Sequence, residues 1–89
     1  MAEIEQVSPG GGSGAQGEAG PSLEAAIGRK VRALRQGLDV TISDLARSTD
    51  LSVGMVSKIE NGQTSPSLST LKALAQALNV PISMFFQDF

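Results

Sequence analysis

The sequence contains neither cysteine nor histidine, and its only aromatic residues are three phenylalanines. These absences exclude a disulfide framework, the usual zinc sites, a thiol nucleophile and an imidazole base. No paired carboxylates flank a plausible cleft either, so we expect no enzyme, no metal and no cofactor. The absence of cysteine favours an intracellular, cytoplasmic protein. Any core must be built from leucine, isoleucine, valine, alanine and methionine.

Long apolar runs are also missing. None approaches the roughly 18 residues that would suggest a membrane span, and the N-terminus lacks the basic and apolar stretches of a secretory signal. Taken alone, the formal net charge of −2 argues against nucleic acid as a binding partner. However, residues 1–21 hold three acids and no base, whereas residues 22–89 hold seven bases and six acids, a net charge of +1. The whole-chain charge therefore misrepresents the folded part.

Residues 1–21 contain six glycines and two prolines, with almost no apolar periodicity. Such a segment buries too little surface to offset the entropy lost on ordering. It is predicted to be a disordered, dispensable tail, or alternatively a segment that folds on a partner. Residues 22–89 are then one small domain.

Apolar residues at helical spacing predict five short helices, and no segment alternates with the period of a strand. The predicted ranges are 23–36, 42–48, 53–60, 66–78 and a last short helix that opens at Pro81. Expected N-caps are Ser22, Thr41, Ser52 and Ser65, the last of them preceding Pro66. Gly37 is expected to end the first helix in the left-handed conformation. Together these helices make a compact all-α domain.

The second and third predicted helices are joined by a turn of three or four residues, which is the spacing of a helix-turn-helix unit. Such helices cross closely, so one inward position must be small, and Ala46 fits. The turn needs a residue that tolerates positive φ, and Asp50 serves, though less favourably than glycine. The outward residues are small or polar, as a helix entering the major groove requires. They are Val53, Gly54, Ser57, Lys58 and Asn61.

Several short motifs carry a family resemblance. They are Leu34-Arg35, Leu45-Ala46, Ile59-Glu60-Asn61-Gly62, Thr64-Ser65-Pro66-Ser67-Leu68 and Thr70-Leu71. In combination they resemble the Cro and lambda-repressor-like (Xre) family of bacterial and phage regulators, over about residues 24–86. The run from Glu60 to Leu71 and the ending Val80-Pro81-Ile82-Ser83 are similar in particular to members that carry a C-terminal cupin sensor domain.

The resemblance implies a compact five-helix lambda-repressor-like domain that binds double-stranded DNA sequence-specifically as a transcription regulator. It also implies a homodimer on a two-fold site with half-sites about one helical turn apart. A small-molecule effector is expected only with a separate C-terminal sensor domain. The chain is expected to be either a DNA-binding fragment or a stand-alone protein. The rival interpretation is a protein-interaction module of the same fold, such as an antitoxin or coactivator.

The resemblance also implies residue roles. Base-reading positions lie on the third helix, phosphate meets the amides at the start of the second helix, and a loop after the third helix grips the backbone. The expected DNA-binding residues are Thr41, Ile42, Ser43, Ser52, Val53, Gly54, Ser57, Lys58, Asn61, Gln63 and Thr64. An internal ion pair between Arg35 and Glu60 is expected to tie the first helix to the third.

Some of these roles have alternatives that the sequence leaves open. Lys58 is expected to contact a guanine or a phosphate, or else to be solvated. Val53 is expected to contact a thymine methyl group or to pack at the helix end. Gly54 either permits close approach to DNA or reflects drift at an exposed site. Three bases of the first helix, Arg29, Lys30 and Arg32, are expected to be solvated, or else one of them contacts a phosphate. Either Phe85 or Phe86 is expected to close the core.

Overall fold

The computed structural model describes residues 22–87, so the tail predicted at 1–21 lies outside the described residues, as does Phe89. Its elements are α1 (Leu23–Gly37), α2 (Ile42–Thr49), α3 (Val53–Glu60), α4 (Leu68–Leu78) and a 3₁₀ helix (Ile82–Phe86). Residues 22–87 contain no strand, so the all-α prediction is confirmed for that range. None of the helices in this range has the length and apolar content to cross a membrane.

The last element differs from the predicted fifth α-helix. Five residues are too few for a stable α-helical nucleus, and this segment closes an i→i+3 bond instead, with the Met84 N–H donating to the Pro81 carbonyl at 3.0 Å. Packing holds it, because Phe85 is 2% exposed whereas Phe86 is 36% exposed. Of the two phenylalanines, Phe85 therefore closes the core.

Each α-helix begins at a serine or threonine whose hydroxyl accepts the backbone N–H three residues on. The predicted caps Ser22, Thr41 and Ser52 are confirmed, each at 3.0 Å. The cap predicted for α4 is wrong, because Ser67 rather than Ser65 accepts the Thr70 N–H. The Ser65 hydroxyl instead donates to the Glu24 carboxylate at 2.6 Å, and α4 begins two residues later than predicted, at Leu68.

All four α-helices end in the same way, with one residue in the left-handed conformation. These residues are Asp39, Asp50, Gly62 and Asn79, with φ of 56°, 60°, 71° and 59°. In each case the next N–H turns back to a carbonyl five residues earlier, which satisfies the helix end. Asp50 in the turn is thereby confirmed, but the stop predicted at Gly37 is wrong. Helix α1 runs through Gly37, and Asp39 takes the left-handed position because the Val40 N–H bonds to the Arg35 carbonyl.

The core lies where the four helices and the 3₁₀ helix meet. Its largest fully buried side chains come from every element: Val31, Leu45, Val56, Ile59, Leu74, Leu78 and Phe85. Leu23, in the first turn of α1, is 43% exposed and lies outside this cluster. The burial of Val56 and Ile59 fixes which face of α3 points outward.

Candidate nucleic-acid interface

Helices α2 and α3 form a close-packed pair joined by the turn Asp50–Ser52. Ala46 is 3% exposed, and its carbonyl accepts the Leu51 N–H at 2.9 Å, so the turn is bonded directly to α2. The Thr49 hydroxyl donates back to the Leu45 carbonyl at 2.7 Å, which satisfies the one buried hydroxyl in this pair. The turn is therefore hydrogen-bonded to α2, which positions α3 against it.

The outward face of α3 presents small, polar and apolar groups. Val53, Gly54 and Lys58 are exposed and Ser57 is half-buried. Met55, which the sequence analysis did not select, is 39% exposed beside them. The first turn of α3 contains no acidic residue, so no side-chain carboxylate opposes an anion there.

Glu60 anchors α3 from behind. Its side chain is only 1% exposed, and Arg35 binds it in a two-point fork, with Nε 2.7 Å from Oε2 and Nη2 3.1 Å from Oε1. Hydrogen bonding to Glu60 raises the pKa of Arg35 further above its ordinary value. The Arg35 Nη1 also donates to the Val40 carbonyl at 3.0 Å. One guanidinium thus holds α1, the α1–α2 loop and α3 together.

Arg32 is not the solvated base that the sequence analysis expected. Its Nε lies 3.4 Å from Glu60 Oε1, and its Nη2 donates to Asn61 Oδ1 at 2.9 Å. The reason is spacing: Arg32 lies one turn before Arg35 and therefore faces the same end of α3. Its side chain remains 44% exposed.

The end of α3 and the loop after it form one bonded group. The Asn61 side-chain amide donates to the Ser57 carbonyl at 2.9 Å, and the Gln63 N–H donates to the Lys58 carbonyl at 2.8 Å. Gln63 is exposed and Thr64 is half-buried. Four of the expected DNA-binding residues (Ser57, Lys58, Asn61 and Gln63) are thereby brought together.

A second group of expected residues lies at the start of α2. Thr41 and Ser43 are exposed, whereas Ile42 is half-buried and packs against the core. A hydrogen bond to Thr41 is the largest cause of the lowered pKa of Asp44, and a hydrogen bond to Arg47 is the second. Asp44 and Arg47 form an exposed pair at 3.1 Å, so the carboxylate in the first turn of α2 is partly neutralised.

The loop between α3 and α4 rests on the start of α1. A Cβ added at Gly62 would lie 2.9 Å from the Ala25 Cα, so only glycine allows this approach. Beyond it, Ser65 donates to Glu24, and this bond is the main cause of the lowered pKa of Glu24. The loop that carries Gln63 and Thr64 is therefore fixed at both sides.

Sequence reasoning missed Gly28, which sets the distance between α1 and α3. A Cβ added there would meet the Ile59 carbonyl oxygen and would lie 2.6 Å from the Glu60 carbonyl oxygen. Gly28 is buried in the middle of α1. A glycine inside a helical pattern lowers helix stability by about 1 kcal/mol relative to alanine. An unfavourable glycine at this position is the signal that could have indicated a close approach between two helices.

Helices α2 and α3 cross at a buried contact, the turn between them is hydrogen-bonded, and the outward face of α3 carries small side chains. These features define a helix-turn-helix protein. Comparison with known proteins agrees: the helix-turn-helix family matches residues 31–85, and the chain belongs to this family. The resemblance to Cro and lambda-repressor-like regulators is confirmed at this level, while the comparisons give no support for a cupin domain.

The relatives are regulators. An uncharacterized transcriptional regulator in the ATPase CF(0) region of Rhodospirillum rubrum is 38% identical over 66 residues, which are 74% of this chain and 61% of the relative. The HTH-type transcriptional regulator SutR of Escherichia coli (strain K12) is 36% identical over 64 residues, 72% of this chain and 36% of that protein. The chain thus spans less than two thirds of the length of each of these relatives.

A solved structure has the same fold. The clp gene regulator ClgR from Corynebacterium glutamicum superposes with a TM-score of 0.72 at 28% sequence identity, over 75% of this chain and 87% of that one.

Proposed function

We propose that this chain binds double-stranded DNA sequence-specifically as a bacterial transcription regulator, in the cytoplasm at the nucleoid, with α3 in the major groove. The observation that carries the proposal is the outward face of α3, which offers Val53, Gly54, Ser57 and Lys58 while its other face is locked to the domain through Glu60. A groove about 12 Å wide admits a helix with such small side chains.

Base reading falls to the exposed residues of α3. Lys58, near its end, reaches a guanine edge or a phosphate, and Val53, at its start, meets a thymine methyl group. Ser52 and Gly54 lie at the start of the same helix, where the absence of a Cβ at Gly54 permits a close approach to the groove. A Cβ there would meet only the Ser52 Oγ, 3.9 Å away, so packing within the domain does not require glycine at this position.

Phosphate contacts come from two places. At the start of α2 the backbone amides near Thr41, Ile42 and Ser43 favour an anion, because the N-terminal N–H groups of a helix lack partners. The loop after α3 supplies the second contact through Asn61, Gln63 and Thr64. Contacts on both sides of α3 fix its register in the groove.

A homodimer on a two-fold site completes the proposal. Residues 22–89 carry a net charge of only +1, and phosphate neutralisation supplies most of the non-specific affinity for DNA. One domain alone therefore binds weakly, whereas two domains on half-sites about one helical turn apart double the contacts.

Selection of bound sequences from a random duplex library tests the proposal. We expect enrichment of a two-fold symmetric sequence, with half-sites about 10 base pairs apart. A second selection, with the Val53, Ser57 and Lys58 side chains all replaced by alanine, is the control and should enrich nothing. Failure of the unmodified chain to enrich any duplex contradicts the proposal and favours a protein-interaction module such as an antitoxin or coactivator.

A further inference from the structure

The side chain of Arg32 reaches from α1 to the end of α3. Its Nη2 lies 2.9 Å from Asn61 Oδ1, and its Nε lies 3.4 Å from Glu60 Oε1. A guanidinium has donors and no acceptor. The Asn61 atom that faces it must therefore be the amide oxygen.

The amide nitrogen of Asn61 consequently faces Ser57. It donates to the Ser57 carbonyl at 2.9 Å and lies 3.4 Å from the Ser57 Oγ. Because a carbonyl can only accept, the orientation of the amide is determined from both ends. The hydroxyl oxygen of Ser57 thus faces a donor.

The hydroxyl proton of Ser57 has no acceptor among residues 22–87. Thr49 in α2 behaves differently, since its hydroxyl donates to the carbonyl four residues earlier at 2.7 Å. Ser57 is half-buried on the outward side of α3. Its proton is therefore available to a group outside the domain.

We propose that Ser57 acts as a hydrogen-bond donor that reads an acceptor atom on a base, and that Arg32 is the positioning residue for this reading through Asn61. The inference rests on the proposed function. Acceptors in the major groove are purine N7, guanine O6 and thymine O4, whereas the exocyclic amino groups of adenine and cytosine are donors. Because its proton is the group without a partner among residues 22–87, Ser57 pairs with the first class.

Removal of Arg32 has a defined consequence. Without it the Asn61 amide is free to rotate, and its oxygen can then accept the Ser57 proton. That proton is no longer offered to DNA, although Ser57 itself is unchanged. Arg29 provides the matched control, since it lies on the same helix, is exposed and makes no hydrogen bond or ion pair with residues 22–87.

The test uses a duplex selected by the unmodified chain and four proteins: this chain and the variants Ser57→Ala, Arg32→Met and Arg29→Met. Dissociation constants are measured on duplexes in which one base at a time lacks a single group. Acceptor deletions use 7-deazapurines, 2-aminopurine for guanine and 5-methyl-2-pyrimidinone for thymine; donor deletions use purine for adenine and 2-pyrimidinone for cytosine. Circular dichroism verifies that each variant is folded.

One acceptor deletion should weaken the unmodified chain and Arg29→Met by about two- to tenfold, the range of a single hydrogen bond. The same deletion should have no effect on Ser57→Ala and a smaller effect on Arg32→Met. The inference alone is overturned if every deletion weakens binding by Ser57→Ala as much as it weakens binding by the unmodified chain. It is also overturned if the deletion to which Ser57→Ala no longer responds is a donor deletion. Failure to select any duplex overturns the proposed function as well, so the two failures are distinguishable.

Discussion

Glu60 is the residue on which the orientation of α3 depends most. Its carboxylate is buried at the junction of α1 and α3, and two arginines approach it from α1. A buried carboxylate is tolerated only where its oxygens are paired and hydrogen-bonded. Here both oxygens are bound, and we expect the ion pair to specify geometry more than it adds stability.

A double-mutant cycle on Arg35 and Glu60 measures this pair. Each single replacement by methionine should lower the free energy of unfolding by about 3–5 kcal/mol, because an uncompensated charge is left buried. Arg35→Met should lie nearer the lower figure, since Arg32 still contacts Glu60. The double replacement should cost far less than the sum. A coupling energy below about 0.5 kcal/mol by chemical unfolding would show a superficial pair.

Lys58 tests the reading face at a single position. Replacement by alanine should weaken binding to a selected duplex by about 1–3 kcal/mol if the ammonium contacts a base. Titration against the selected and a scrambled duplex separates the alternatives. Equal weakening on both assigns Lys58 to phosphate, while unchanged affinity on both removes it from the interface. Lys72, exposed on α4, supplies the matched control Lys72→Ala.

Helix α1 crosses α3 so closely that no Cβ fits at the contact point. Gly28 makes this possible, and the crossing brings Arg32 and Arg35 within reach of Glu60. The position of α3 thus depends on the absence of a side chain at Gly28. A larger residue would separate the two helices and stretch the ion pair.

Gly28→Ala should therefore destabilise the domain by about 1–3 kcal/mol through overpacking, even though alanine favours a helix. Gly37→Ala is the control, since a Cβ there meets nothing within 4 Å and should stabilise α1 by a few tenths to about 1 kcal/mol. Urea unfolding of both variants gives the comparison. Two stabilised variants would refute the close crossing.

The loop between α3 and α4 is held on α1 by the bond from Ser65 to Glu24, which lowers the pKa of Glu24 in the folded state. The small contribution of this bond to the free energy of unfolding is therefore present when the pH is above the pKa of Glu24 in the unfolded chain. It is lost as the pH falls through the pKa of Glu24 in the folded protein. In Ser65→Ala, the Glu24 pKa should rise toward its ordinary value, as followed by NMR titration. Asp44 serves as the internal control, because Thr41 and Arg47 cause its shift. An unchanged Glu24 pKa would contradict this account of the loop.

Prediction from sequence succeeded where the signal is local. The range of α3, the caps Ser22, Thr41 and Ser52 and the left-handed Asp50 all follow from side chains that act on their own backbone. It failed where distant contacts are made: Ser65 bonds to Glu24, 41 residues away, and Ser67 caps α4. Arg32 was likewise assigned to solvent because its partners, Glu60 and Asn61, are 28 and 29 residues away.

At the scale of the whole molecule, charge separates this domain from strongly basic DNA-binding proteins. Its seven bases are offset by nearly as many acids, and two of them are used on Glu60. Affinity for arbitrary DNA should therefore be low, and discrimination must come from the face of α3. The chain belongs to the helix-turn-helix family, and the proposed function makes DNA its ligand and the exposed residues of α3 its contacts.

The dissociation constant of this chain on a selected duplex and on a scrambled duplex, measured across a salt series, tests the central claim most directly. The account predicts at least about a thousandfold preference for the selected duplex. It also predicts a linear fall of log affinity with log salt, with a shallow slope that reflects few phosphate contacts. Equal affinity for the two duplexes, or no salt-dependent binding to either, would contradict it.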